Sequence, residues 1–221
     1  MLRAIVIKEL REIRGIALLI AAAYLYLAMV SANPRLLPFA QGAMFTPFVH
    51  QDFFTIWFVW ISLAVVIALG LRQTIGESVQ GTYPFLFHRP STRNRLMAAK
   101  LAVGSSIYLA CGALAILAVG LWAAAPGTYH GPFEWSMTVQ TWILWLATTV
   151  VYLGAFLVGV RPACWFGTRL FPLLAAGVLM FGVMMMYYLT YWPWLAVALI
   201  LTIDAGMVAV IVLVVRTRDY S

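Results

Sequence analysis

Six long apolar runs joined by mostly short connections dominate this chain: Gly15 to Val30, Thr55 to Leu71, Leu101 to Ala124, Val139 to Val160, Leu170 to Tyr188 and Leu195 to Val215. About 20 apolar residues wound as an α-helix cross the hydrocarbon core of a bilayer, where every backbone N–H and C=O must find its partner inside the protein. A helix meets that demand within one segment. The runs therefore predict an all-α, polytopic membrane protein with six transmembrane helices. With 64% apolar residues, 10% charged residues and a mean hydropathy of +0.96, the chain has too little polar surface for a water-soluble fold. Its 221 residues accommodate one such domain.

Ahead of the first run, Leu2, Ile5, Val6, Leu10 and Ile13 recur at helical spacing, with Arg3, Lys8, Arg11, Glu12 and Arg14 largely on the opposite face. Residues 1–14 are thus expected to form an amphipathic helix in the plane of the membrane surface, with Lys8 and Glu12 paired on its wet side. Residues 15–221 form the six-helix transmembrane domain. Val30-Ser31-Ala32 resembles a signal-peptidase site, but a leader with two acids and so long a stretch before its apolar core does not fit, so the segment is expected to be retained.

The net charge of +7, from 14 basic and 7 acidic residues, is distributed at the ends of the apolar runs. Basic side chains there meet lipid headgroups and set orientation; no stretch combines them with exposed stacking aromatics in a polar setting, which argues against a nucleic-acid partner. With the N-terminus in the cytoplasm, thirteen of the 14 basic residues fall on that side and only Arg35 on the other. The positive-inside rule therefore predicts a multi-pass protein of the cell (inner or plasma) membrane with both termini cytoplasmic. Trp122, Trp135, Tyr187, Tyr188, Tyr191, Trp192 and Trp194 then mark the outer interface. Residues 32–54, with Phe45, Phe48, Phe53 and Phe54, are expected to rest on the outer leaflet.

The cytosolic loop 72–100, RQTIGESVQGTYPFLFHRPSTRNRLMAAK, is the most informative stretch. Its first residues extend the second helix. Gly81 permits a break, and Pro84 and Pro90 bracket an apolar knob of Tyr83, Phe85, Leu86 and Phe87. Ser91 is suited to cap the third helix, with Arg93, Arg95 and Lys100 at headgroup level. Aromatic residues beside arginines are the usual anchors of a protein interface; the same residues can also dip into the inner leaflet while the arginines bind lipid.

Glu77, Gly81-Thr82, Leu86, Pro90, Ser91, Arg93 and Lys100 together resemble the first cytosolic loop of permeases of ATP-binding-cassette (ABC) transporters of the type-2, exporter-like family. The stretch KELREIRG, Lys8 to Gly15, resembles the start of such permeases, and the six-span layout is similar. The likeness covers the first 100 residues by motif and the rest by hydropathy. It implies that the loop docks on a separate cytosolic ATPase through Glu77, Gly81, Tyr83, Phe85, Leu86, Phe87, Arg89, Pro90, Arg93 and Arg95. Arg161, Trp165 and Arg169 of the connection RPACWFGTR would form a second, smaller contact. It also implies a homodimer or heterodimer with a similar permease, and ATP with Mg on the partner subunit rather than any cofactor on this chain. In one respect the chain departs from the family. Only Tyr191-Trp192-Pro193-Trp194 stands where many members carry a re-entrant hairpin.

The sequence contains no Gly-x-x-x-x-Gly-Lys-Ser/Thr loop, no Gly-x-Ser-x-Gly elbow and no paired histidines at metal spacing, so no catalytic residue and no metal site is expected. Cys111 and Cys164 read as ordinary small residues. Asp204, near the middle of the sixth run, costs about 2.5–3.5 kcal/mol on insertion scales and calls for compensation. Either it lines a polar pathway, or it accepts a hydrogen bond from a Thr or Tyr hydroxyl in the bundle; the second is favoured. Gly104, Gly112, Ala155, Gly159, Gly177 and Gly206 let helices approach closely. On the residues alone, a membrane anchor or assembly subunit that uses the same loop for docking is the alternative to a transporter permease.

Overall fold

Each apolar run becomes one helix. The computed structural model describes residues 2–33, 48, 53–79, 93–128, 133–161 and 166–217. They form α1 (Leu2–Ala32), α2 (Phe53–Val79), α3 (Arg93–Ala124), a 3-10 turn (Trp135–Thr138), α4 (Val139–Val160), α5 (Phe166–Thr190) and α6 (Pro193–Thr217). All regular structure among the described residues is helical. Six helices are long and apolar enough to cross a bilayer, and the chain is a multi-pass membrane protein.

α1 carries the amphipathic lead-in and the first span without a break, so the boundary expected after Arg14 is not a helix end. Gly15 faces open space and no proline interrupts the ladder. Lys8 and Glu12 pair at 3.2 Å and are about half exposed, as the spacing predicts. The inward stripe is rotated from the expected one, however. Ile13 is buried, Leu10 is exposed, and Glu9 points into the bundle.

The helices are not equivalent. Across its most apolar stretch α4 is 89% buried within the protein, whereas α6 is 11% buried. α4 is therefore the core element: α2, α5 and α6 pack against it, while α1 packs against α3 and α2. Glycines set the closest crossings. A Cβ on Gly70 would lie 2.8 Å from that of Ala155, and one on Gly154 would lie 2.9 Å from the Pro172 carbonyl oxygen. Without a hydrophobic drive between helices in lipid, such close backbone approach gains the dispersion contacts that hold the bundle. Gly104, Gly112, Ala155 and Gly159 all sit inside the bundle, whereas Gly177 and Gly206 meet nothing within 4 Å.

Two hydrogen bonds bring together the end formed by the starts of α2 and α4 and the end of α5: Thr55 with Thr141 at 2.6 Å, and Gln140 donating to the Tyr188 hydroxyl at 3.2 Å. Trp135, Tyr191, Trp192 and Trp194 are exposed there, while Tyr187 is buried. Phe48 and Phe54, expected on the leaflet, face the bundle instead, while residues 34–47 and 49–52 of the expected loop lie outside the described residues. Both are buried, with ring centroids 5.4 Å apart, and Phe48 also contacts Phe133 at 6.0 Å. The aromatic cluster is thus a plug in the bundle end, with Phe53 half-buried beside it; Phe45 lies outside the described residues. α5 closes in a left-handed cap at Tyr191 (φ 53°), whose N–H bonds the Tyr187 carbonyl at 2.8 Å, and Pro193 opens α6.

Candidate functional site

A column of buried polar side chains runs through the middle of this apolar bundle. The Tyr24 and Ser62 hydroxyls bond at 2.8 Å, linking α1 to α2, and Tyr108 bonds Thr148, linking α3 to α4. Each satisfies a group that lipid could not, so each fixes a pairing of helices.

At the opposite end from the aromatic plug, the column becomes ionic. Lys100 Nζ on α3 donates to Glu9 Oε1 on α1 at 2.7 Å, and both side chains are 1% exposed. Lys100, expected at headgroup level with Arg93 and Arg95, is instead inside the bundle; Arg95 is exposed. Gln73 on α2 donates through Nε2 to the Lys100 carbonyl at 2.9 Å and accepts at Oε1 from the Tyr152 hydroxyl of α4 at 2.7 Å. Gly104 makes this possible. A Cβ there would lie 2.6 Å from Gln73 Oε1, so any larger residue would displace the amide. Four helices meet in one connected set, beside the ends of α2 and α3 that flank the loop at residues 80–92.

Tyr152 also lines a cleft of about 370 Å³ between α3, α4 and α6, together with Tyr108, Thr149, Ser105 and Asp204. The Thr149 hydroxyl lies 2.6 Å from Asp204 Oδ2, as expected of a Thr partner in the bundle, and 2.7 Å from the Leu146 carbonyl. Oδ1 of Asp204 is buried and has no hydrogen-bond partner among the described residues. The carboxyl is therefore half compensated.

The two sets of residues expected at cytosolic contacts fare differently. Gly81, Tyr83, Phe85, Leu86, Phe87, Arg89, Pro90 and Trp165 lie outside the described residues, as does Ser91. Glu77 falls within α2 and Arg93 at the start of α3, but their side chains are outside the described set. Arg161 is exposed at the end of α4, and its N–H closes that helix on the Leu157 carbonyl at 2.9 Å. Arg169 is half-buried and directs Nε to the Val158 carbonyl at 3.4 Å. It thus serves one of the acceptors that a helix C-terminus leaves unpaired.

Sequence reasoning missed Glu9, Gln73 and Tyr152. The signal for Glu9 lay in its spacing, since residues 9, 13, 20, 24 and 27 share the inward face of α1. Gln73 gave none, since it opens the polar turn that extends the second helix past its apolar run. Among the described residues no group of three His, Cys, Asp or Glu side chains is arranged to hold a metal ion. Compared with family models, with curated proteins and with solved structures, the chain matches none.

Proposed function

We propose that this chain is the transmembrane permease subunit of an ATP-driven, ABC-type transporter, working through its basic end. The observation that carries the reading is the connected set Glu9–Lys100–Gln73–Tyr152. α2 and α3 flank the basic loop, and each contributes a member of the set, through Gln73 and Lys100. Tyr152, the last member, lines the membrane cleft that holds Asp204. A push on the loop tilts the ends of α2 and α3, and the buried bonds pass that tilt to α4 and the cleft instead of letting it dissipate in a slack apolar contact.

In this reading the basic end is cytoplasmic, both termini are on that side, and the host is the cell membrane. The knob Tyr83 to Phe87, with Arg89, Arg93 and Arg95, docks on a cytosolic ATPase that holds ATP and Mg, and Arg161, Trp165 and Arg169 make a smaller second contact. The chain pairs with a copy of itself or a similar permease, carries lipid around its rim, and performs no covalent chemistry.

The test is purification of the chain from its own membrane. An ATPase should accompany it, and Phe85→Ala with Phe87→Ala should lower ATP turnover of the complex by about tenfold or more. Stable association with a partner that lacks ATPase activity would instead support an anchoring subunit, and overturn the transport reading.

A further inference from the structure

The cleft between α3, α4 and α6 has the size of a ligand pocket, and its walls are largely apolar, with Met97, Leu101, Leu109, Val208 and Val212 among the lining residues. Among the described residues Asp204 is the single charged side chain that lines it, with no Lys, Arg or His beside it. Leu109 and Val208 at the rim remain part-exposed, so the cleft communicates sideways with the bilayer. A groove of similar volume between α1 and α3, about 390 Å³, is lined by Tyr24, Cys111, alanines and leucines with no carboxyl group. An alkyl chain alone has no reason to prefer one over the other. The difference between them is the half-compensated acid.

We propose that this cleft binds a membrane-soluble cation of the alkylammonium class, with the chain along the apolar walls and the charged head on the Asp204 carboxylate. Oδ2 is taken by Thr149, and Oδ1 has no partner among the described residues. The terminal torsion of an aspartate is soft, so a modest rotation turns Oδ1 toward the cleft without disturbing α6. An ammonium head then supplies the missing donors as a charge-assisted bond in a dry setting, where such bonds are strongest. An anionic amphiphile would meet a like charge with no basic residue among the described lining residues to offset it, and a neutral one, even a hydroxyl, would offer Oδ1 only an uncharged hydrogen bond, about half as strong. The inference is independent of whether an ATPase drives the chain.

The experiment is saturation binding of radiolabelled dodecylamine to the chain in nanodiscs of zwitterionic phosphatidylcholine, corrected against empty discs. Binding should saturate at one site per chain and be displaced by unlabelled dodecylamine, but not by dodecanol or dodecyl sulfate. Asp204→Asn, checked for folding by its elution and helicity, should weaken binding by about tenfold or more, equivalent to ~1.4 kcal/mol. Ala102→Phe fills the cleft while leaving Asp204 in place, and should abolish saturable binding. Equal displacement by dodecanol would mean that a neutral chain suffices, and would overturn the proposal. So would unchanged binding in folded Asp204→Asn, or the absence of saturable binding to the native chain.

Discussion

Breaking the Glu9–Lys100 pair from one side should be among the most damaging single changes in the bundle. In Lys100→Met the Glu9 carboxylate loses the partner 2.7 Å away and remains in a position that is 1% exposed. Removing one member of a buried pair costs about 3–5 kcal/mol, because the surviving charge loses that counter-ion while still shut away from water. Glu9→Gln should cost a similar amount by removing the carboxylate that faces the buried ammonium group. The double variant Glu9→Leu with Lys100→Met removes both charges of this pair and should be more stable than either single variant. The chain provides its own control in Lys8–Glu12, a pair at 3.2 Å whose side chains are 45% and 46% exposed. Screening there reduces the effect of Lys8→Ala to about 0.5 kcal/mol or less. The assay is unfolding in mixed micelles with rising sodium dodecyl sulfate, followed by tryptophan fluorescence and extrapolated linearly. Losses below about 1 kcal/mol for both single variants, or a double variant that loses their sum, would refute the assignment of a closed, dry ion pair.

Three further changes can be read by the same unfolding assay. Gly159→Ala drives a methyl group into Thr74 and should destabilise the fold by about 1–3 kcal/mol, whereas Gly206→Ala meets no neighbour and should be neutral or gain up to about 1 kcal/mol. Asp204→Leu removes a carboxyl group with an unpartnered oxygen and should leave stability unchanged or raised, while Thr149→Val strips the carboxyl of its only described partner and should cost about 1–3 kcal/mol. Tyr191→Gly relieves a left-handed backbone position at the α5–α6 turn and should stabilise by about 1 kcal/mol, visible as a shifted unfolding midpoint.

The spans were legible because one physical demand, backbone bonding in a solvent without donors or acceptors, dictates both their length and their composition. Which of them forms the core was not. α6 is the most apolar of the six and the least buried, because in a bilayer apolar composition marks contact with lipid as well as contact with protein. α4 owes its central place to Gly154, Gly159, Thr148 and Tyr152, whose contacts on α2, α3 and α5 no hydropathy plot contains. Asp204 and its Thr partner were within reach, since an intramembrane acid announces itself by cost. Lys100 and Glu9 were not, because each sits within a charged stretch that reads as solvated. Only the helical register of α1 against α3 turns them inward.

The claim beneath all of this is that six helices cross the membrane with the basic end in the cytoplasm. Sidedness is measured most directly by replacing Cys111 and Cys164, then placing single cysteines at Ser91 and at Thr190. Intact cells are labelled with a membrane-impermeant maleimide. The account predicts that Thr190→Cys is labelled from outside, and that Ser91→Cys is labelled only after the membrane is opened. Labelling of Ser91→Cys in intact cells, or equal labelling of both positions, would contradict it.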